Sequence, residues 1–94
     1  MGTKSRPRPA NLSRKLRQIR IGLQLSQAEM VRRLGFEDSF HVGRISEFES
    51  NVREPSLLIL LAYARIAQVH LEDIVDDTVD LPARLPGPVV YDRP

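Results

Sequence analysis

The side chains that could do chemistry in this 94-residue chain are two histidines, twelve acids and fourteen basic residues, and their spacing decides which chemistry is open. With no cysteine there is neither a disulfide framework nor a thiolate zinc site, and His41 and His70 stand too far apart to form a ligand cluster. Glu47 and Glu49 are two positions apart, so on a helix they project from different faces and cannot work as an acid–base pair. No serine, histidine and acid have a spacing that implies mutual geometry. An enzyme is therefore not expected, and neither is a metal or other cofactor. What remains is the chemistry of cations. Residues 1–35 hold nine bases (Lys4, Arg6, Arg8, Arg14, Lys15, Arg17, Arg20, Arg32 and Arg33) against Glu29 alone, whereas residues 36–94 hold five arginines against eleven acids. The net charge of +2 conceals this split. A basic half suits a polyanion, and an acidic half can point away from it or meet a basic partner. A solvated basic face on the first helix explains the charge alone equally well.

These residues have to be positioned by a small domain. An apolar fraction of 41% over this length supports one modest core and no large enclosed active site. Residues 1–10 alternate arginine and proline and read as a basic disordered arm. Asn11 is a good N-cap for helix 1, whose Leu12, Leu16, Ile19 and Leu23 share one face, with Arg14, Arg17 and Lys15 turned to solvent and Gly22 weakening its end. Ser26 and Glu29 have the spacing of a capping box, which predicts helix 2 from Gln27 to Leu34, with Ala28, Met30, Val31 and Leu34 inward and Gly35 as a left-handed C-cap. Asp38 and Ser39 are both possible caps for helix 3, which contains Arg44 to Glu49 and ends at Asn51, a residue able to take the left-handed conformation. Pro55-Ser56 starts helix 4, apolar around most of its circumference, so it is central to the bundle or meets another subunit. A short helix 5 spans Leu71 to Val75, with His70 at its cap position as a structural residue. From Asp76 the composition turns acidic and then proline-rich. That segment reads as a floppy tail, or else Val89 to Tyr91 forms an edge strand or apolar clip on a neighbouring subunit.

A short capped helix, a glycine-marked turn and a second short helix are what a groove-reading DNA binder needs. Leu25-Ser26-Gln27, Leu34-Gly35, Ile45-Ser46-Glu47-Phe48-Glu49, Asn51, Arg53, Pro55-Ser56-Leu57 and the trailing Leu61, Ala64, Val69, Leu71 and Ile74 resemble the lambda-repressor-like helix-turn-helix family. This class includes the phage Cro and repressor proteins and the xenobiotic-response-element type of bacterial regulator. The resemblance covers residues 11–76 and implies an all-α, five-helix bundle between a flexible arm (1–10) and an acidic, then proline-rich tail (77–94). It implies a transcriptional regulator, a repressor acting as a homodimer on a near-palindromic stretch of double-stranded DNA. Carried over by position, Val42, Gly43, Arg44 and Glu47 fall on the base-reading face. Gln27 and Ser26 at the start of helix 2, and Asn51 and Arg53 after helix 3, contact phosphate. Arg20 and Glu49 match an internal salt bridge. Arg44 is the strongest base-reading candidate, because guanidinium pairs bidentately with guanine O6 and N7, although a phosphate contact suits it nearly as well. His41 caps helix 3, touches phosphate or is a plain turn residue. Arg6 and Arg8, with Lys4, lie along phosphates or in a minor groove, or are simply solvated.

Three departures from the family stand out, one of them Asn51 at the position that is most often glycine. The segment between Gly35 and Ile45 is about four residues longer than usual, close to one helical turn, and either extends helix 3 or bulges as a loop toward DNA. Glu47 can accept from cytosine N4 but is otherwise unfavourable beside phosphate. A rival reading is an antitoxin or protein-interaction module that holds a partner protein through the acidic C-terminal half. The N-terminus has no apolar run behind its basic residues, and nothing approaches the roughly 20 apolar residues that span a bilayer. A soluble, cytoplasmic protein with no membrane association is expected.

Overall fold

A computed structural model describes residues 7–85. They form five helices and, among the described residues, no strand: α1 (Leu12–Gly22), α2 (Gln27–Leu34), α3 (Gly43–Glu49), α4 (Leu57–Ala67) and α5 (Leu71–Val75). The expected all-α bundle is the one observed. Leu12, Leu16 and Ile19 of α1, Met30, Val31 and Leu34 of α2, Ile45 and Phe48 of α3 and Ile74 of α5 converge on α4, whose Ile59, Leu60, Tyr63, Ala64 and Ala67 are buried. α1 packs against α3, α4 and α5, and α2 against α3 and α4. Ala28 does not face inward as expected but is exposed. It stands two residues before Met30, about 200° around the helix, and so misses the buried face.

Helix ends follow local chemistry. The Ser26 hydroxyl accepts from the Glu29 N–H at 3.0 Å while the Glu29 carboxylate accepts from the Ser26 N–H at 2.8 Å. Hydrogen bonds to the carboxylate from the Ser26 backbone N–H and then from the Ser26 side chain hold the Glu29 carboxyl below its usual range. α2 stops at Gly35, whose φ of 84° is left-handed; the Gly35 and Phe36 N–H groups return to Arg32 and Val31 carbonyls. The same closure recurs without glycine at Gln24 (φ 60°), Asn51 (φ 64°) and Gln68 (φ 57°), where the next residue's N–H returns to Arg20, Glu47 or Ala64. α4 begins one step later than expected: Ser56 is its N-cap, accepting from Ile59 N–H at 3.3 Å, and Pro55 lies outside the helix. His70 is the N-cap of α5, where its backbone N–H donates to the Asp73 carboxylate at 3.3 Å.

The largest correction concerns Lys15. It is fully buried rather than solvated, and its ammonium donates to three backbone carbonyls, of Asp73 at 2.8 Å, Asp76 at 2.9 Å and Val79 at 2.7 Å. An ammonium has three hydrogens, so this cage satisfies every one while supplying donors to carbonyls around the C-terminal end of α5. Beside it, the Asp77 carboxylate accepts from the Ala10 N–H at 2.6 Å and the Asn11 N–H at 3.0 Å. Asn11 makes no side-chain cap bond, so the start of α1 is closed by an acid from the far end of the chain. Leu81 is buried in the core and Leu85 packs on Gly22, where an added Cβ would lie 3.0 Å from Leu85 Cδ1. Residues 77–85 are thus packed along α1 rather than floppy, and residues 7–10 are held against the bundle. Lys4, Arg6 and the Val89–Tyr91 clip lie outside the described residues.

Candidate nucleic-acid interface

One carboxylate links α1, α2 and α3. Glu49, at the end of α3, accepts from Arg20 Nε at 2.7 Å and Nη2 at 3.0 Å, and from Gln27 Nε2 at 3.4 Å. The third direction of the guanidinium, Nη1, donates to the Leu25 carbonyl at 3.0 Å. The end of α1, the entry to α2 and the exit of α3 are therefore joined by a planar fork whose side chains are only 12% and 5% exposed. The hydrogen bond to Glu49 raises the Arg20 pKa further, outweighing the opposing effect of burial, so the guanidinium stays charged. Gln27, expected at phosphate, is turned toward this pair, and the Ser26 hydroxyl already serves as an acceptor in the cap. What the start of α2 has left for an anion are the free backbone N–H groups of its first turn.

The additional residues before α3 form a loop and do not lengthen the helix. Ser39 and Phe40 N–H groups both donate to the Phe36 carbonyl, at 2.8 and 3.1 Å, making a tight turn. Phe36 and Phe40 stack with centroids 5.8 Å apart, and Phe40 meets Phe48 edge-on at 5.9 Å. The loop is thereby tied to the core by a buried aromatic ring. Neither Asp38 nor Ser39 caps α3. Val42 occupies the N-cap position, and the helix opens through tight bonds from Arg44 N–H to the His41 carbonyl and from Ile45 N–H to that of Val42, each 3.0 Å. Val42 and His41 are exposed just ahead of the helix, with the His41 ring beside Gly43.

Beyond that entrance the surface gathers charge. Arg44 lies 5.8 Å from the centroid of the Phe40 ring and 3.4 Å, through Nε, from Glu47 Oε1. Arg53 Nε donates to the same oxygen at 2.9 Å. Arg8, from the arm, donates through Nη1 to the Asn51 carbonyl at 3.0 Å and to its side-chain Oδ1 at 3.3 Å. Arg44, Glu47, Asn51, Arg53 and Arg8 thus lie along the outer side of α3 and at its exit, while Arg6 falls outside the described residues. Sequence reasoning missed three things here: Phe40 as a platform under Arg44, the docking of Arg8, and the shared carboxylate. Only the Phe36–Phe40 spacing was there to be noticed.

A cradle of this kind, a helix fixed by its neighbours and flanked by arginines, suits recognition of a polyanion and not bond-making. Comparison with curated proteins and with solved structures gave no match. A family model described as helix-turn-helix matches residues 16–74, more than half of the chain and all five helices except the first turn of α1 and the last residue of α5. The chain therefore belongs to the lambda-repressor/Cro-like helix-turn-helix family, a family of DNA-binding transcriptional regulators and not of enzymes.

Proposed function

We propose that this regulator is a repressor that binds double-stranded DNA as a homodimer on a near-palindromic operator, with α3 in the major groove. The observation that carries this reading is the cluster at α3: Arg44 on its outer surface, with Asn51, Arg53 and the arm residue Arg8 gathered at its exit. Arg44 reads a guanine, Val42, Gly43 and Glu47 border the same bases, and His41, Asn51, Arg53, the first-turn N–H groups of α2 and the arm, Arg8 with Arg6, follow the phosphates. Self-association is supported by Leu57 and Leu58, which are 74% and 69% exposed at the start of α4 although fully apolar. Repression is the simplest output, because a dimer over a promoter acts by occupancy alone.

Footprinting on the DNA upstream of its own gene tests the reading. Two protected half-sites centred about one helical turn, or a multiple of it, apart are expected. Protection of no sequence in preference to any other would defeat it. The partner-protein reading through the acidic half is less favoured, because Asp73, Asp76 and Asp77 already serve backbone N–H groups of their own chain. Stoichiometric co-purification of a small protein that leaves footprinting intact would establish both roles.

A further inference from the structure

We infer that Glu47 is a positioning and specificity-determining residue which reads no base itself but holds Arg44 and Arg53 and penalises indiscriminate phosphate binding. The inference rests on the DNA-binding reading above. Both arginines approach Glu47 Oε1 through Nε, at 3.4 and 2.9 Å. Holding a guanidinium by its Nε leaves the Nη1–Nη2 edge pointing away from the carboxylate, and that edge is the one that pairs bidentately with guanine O6 and N7. Arg44 also lies over the Phe40 ring, 5.8 Å from its centroid, so its guanidinium is restrained before DNA arrives. The carboxylate is half exposed, at 39%, and so meets any phosphate that the two arginines attract.

A negative charge among phosphate-seeking arginines cancels part of the electrostatic attraction on every sequence. A guanine placed opposite the Arg44 fork restores affinity on one sequence only. Through its charge Glu47 lowers affinity on every sequence alike, and through the Arg44 fork that it holds it returns affinity on one, so the ratio of specific to non-specific binding rises. Its side chain also joins α3 to Arg53 beyond the helix exit, so one residue sets the geometry of two contacts.

The test uses the full chain and two labelled duplexes: one retained by the wild-type protein from a random-sequence pool, and a scrambled duplex of equal composition. Affinities are read by anisotropy over a salt series. Glu47→Gln removes the charge while its amide oxygen still accepts from Arg53 Nε and stays beside Arg44, and Glu47→Ala removes both the charge and the oxygen. Each variant is expected to bind the scrambled duplex about tenfold tighter near 0.1 M salt, with a salt slope steeper by about 0.9. Glu47→Ala, and not Glu47→Gln, is further expected to lose about tenfold preference at one G·C pair. Unchanged affinity and slope on the scrambled duplex in both variants would overturn the inference while leaving DNA binding intact. So would a Glu47→Gln loss confined to a single cytosine, which marks direct readout. A wild-type protein that binds neither duplex at low salt overturns the DNA reading and this inference together.

Discussion

Arg20 and Lys15 are both inward-turned cations of α1, yet they are satisfied in opposite ways. Arg20 meets a formal counter-charge, the Glu49 carboxylate, with one backbone carbonyl as support. Lys15 is hydrogen-bonded only to carbonyls, all from α5 and the turn after it. The first arrangement demands a particular acid at a particular position. The second demands only that backbone be present, so residues of any kind could stand there. Arg20 fixes the α2–α3 end of the bundle, and Lys15 fixes the end where the start of α1 meets residues 73–79. The two ties also differ in what replacement should do. An ion pair can be exchanged as a unit for apolar side chains, whereas the carbonyls of the cage stay polar whatever replaces the lysine.

The largest effect should come from breaking the pair on one side. Glu49→Ala leaves a buried guanidinium uncompensated and should cost roughly 3–5 kcal/mol in urea denaturation, and a loss below about 1 kcal/mol would reduce the pair to the standing of a surface bridge. Replacing both partners, Arg20→Met with Glu49→Leu, should cost far less than Glu49→Ala alone, which a double-mutant cycle reads directly. Lys15→Met comes next, at about 2–3 kcal/mol, since it strands acceptors that water can only partly reach. Its signature is local: amide exchange in residues 76–81 should accelerate more than in α2. If α2 and this segment respond alike, the cage has no special hold on the C-terminal turn.

A smaller change probes the Arg20 end without touching the charges. Gln24 takes a φ of 60° one residue before the Leu25 carbonyl that Arg20 holds, and Gln24→Gly should raise stability by about 1 kcal/mol, seen as a higher Tm. The smallest effect separates the two ends by acid. Hydrogen bonds from the Asn11 and then the Ala10 N–H hold Asp77 below the usual carboxylate range, and those from the Thr78 hydroxyl and N–H do the same for Asp76. Carboxylates lowered on folding contribute stability that is present above their unfolded pKa, near 4, and is lost as pH falls through the folded value. Acidification below about pH 4 should therefore loosen the Lys15 end, and Asp77→Asn should flatten that dependence in an acid melt. A pH dependence unchanged by Asp77→Asn would assign it elsewhere, with Glu29 at the start of α2 the next group to replace.

Much of this was legible because it is local. The Ser26–Glu29 capping box, the left-handed Gly35 and Asn51, the extent of α2 and α5 and the inner faces of α1 and α3 follow from spacing within a few residues. The Arg20–Glu49 pair was expected from family resemblance alone. The misreadings are non-local. Lys15 looked solvated because its neighbours Arg14 and Arg17 are, and nothing in an acidic tail announces three carbonyls turned inward. Asn11 looked like a cap until Asp77 arrived from the other end of the chain. Leu81 and Leu85 are too sparse to make a periodic pattern, and Arg8 finds Asn51 across 43 positions.

The letters alone sufficed for an all-α bundle, for the bounds of α2 and α5 and the start of α4 to within two residues but not for the start of α3, and for a basic segment beside a capped helix-turn-helix. Short-range sterics and hydrogen bonding act over one turn, so they leave their mark in neighbouring letters. Only the tertiary structure decided that the long turn is an aromatic-anchored loop, that the tail's first residues belong to the bundle, and that Glu47 stands between Arg44 and Arg53. Those outcomes depend on which surfaces meet, and backbone carbonyls, which carry no side-chain identity, take part in settling them.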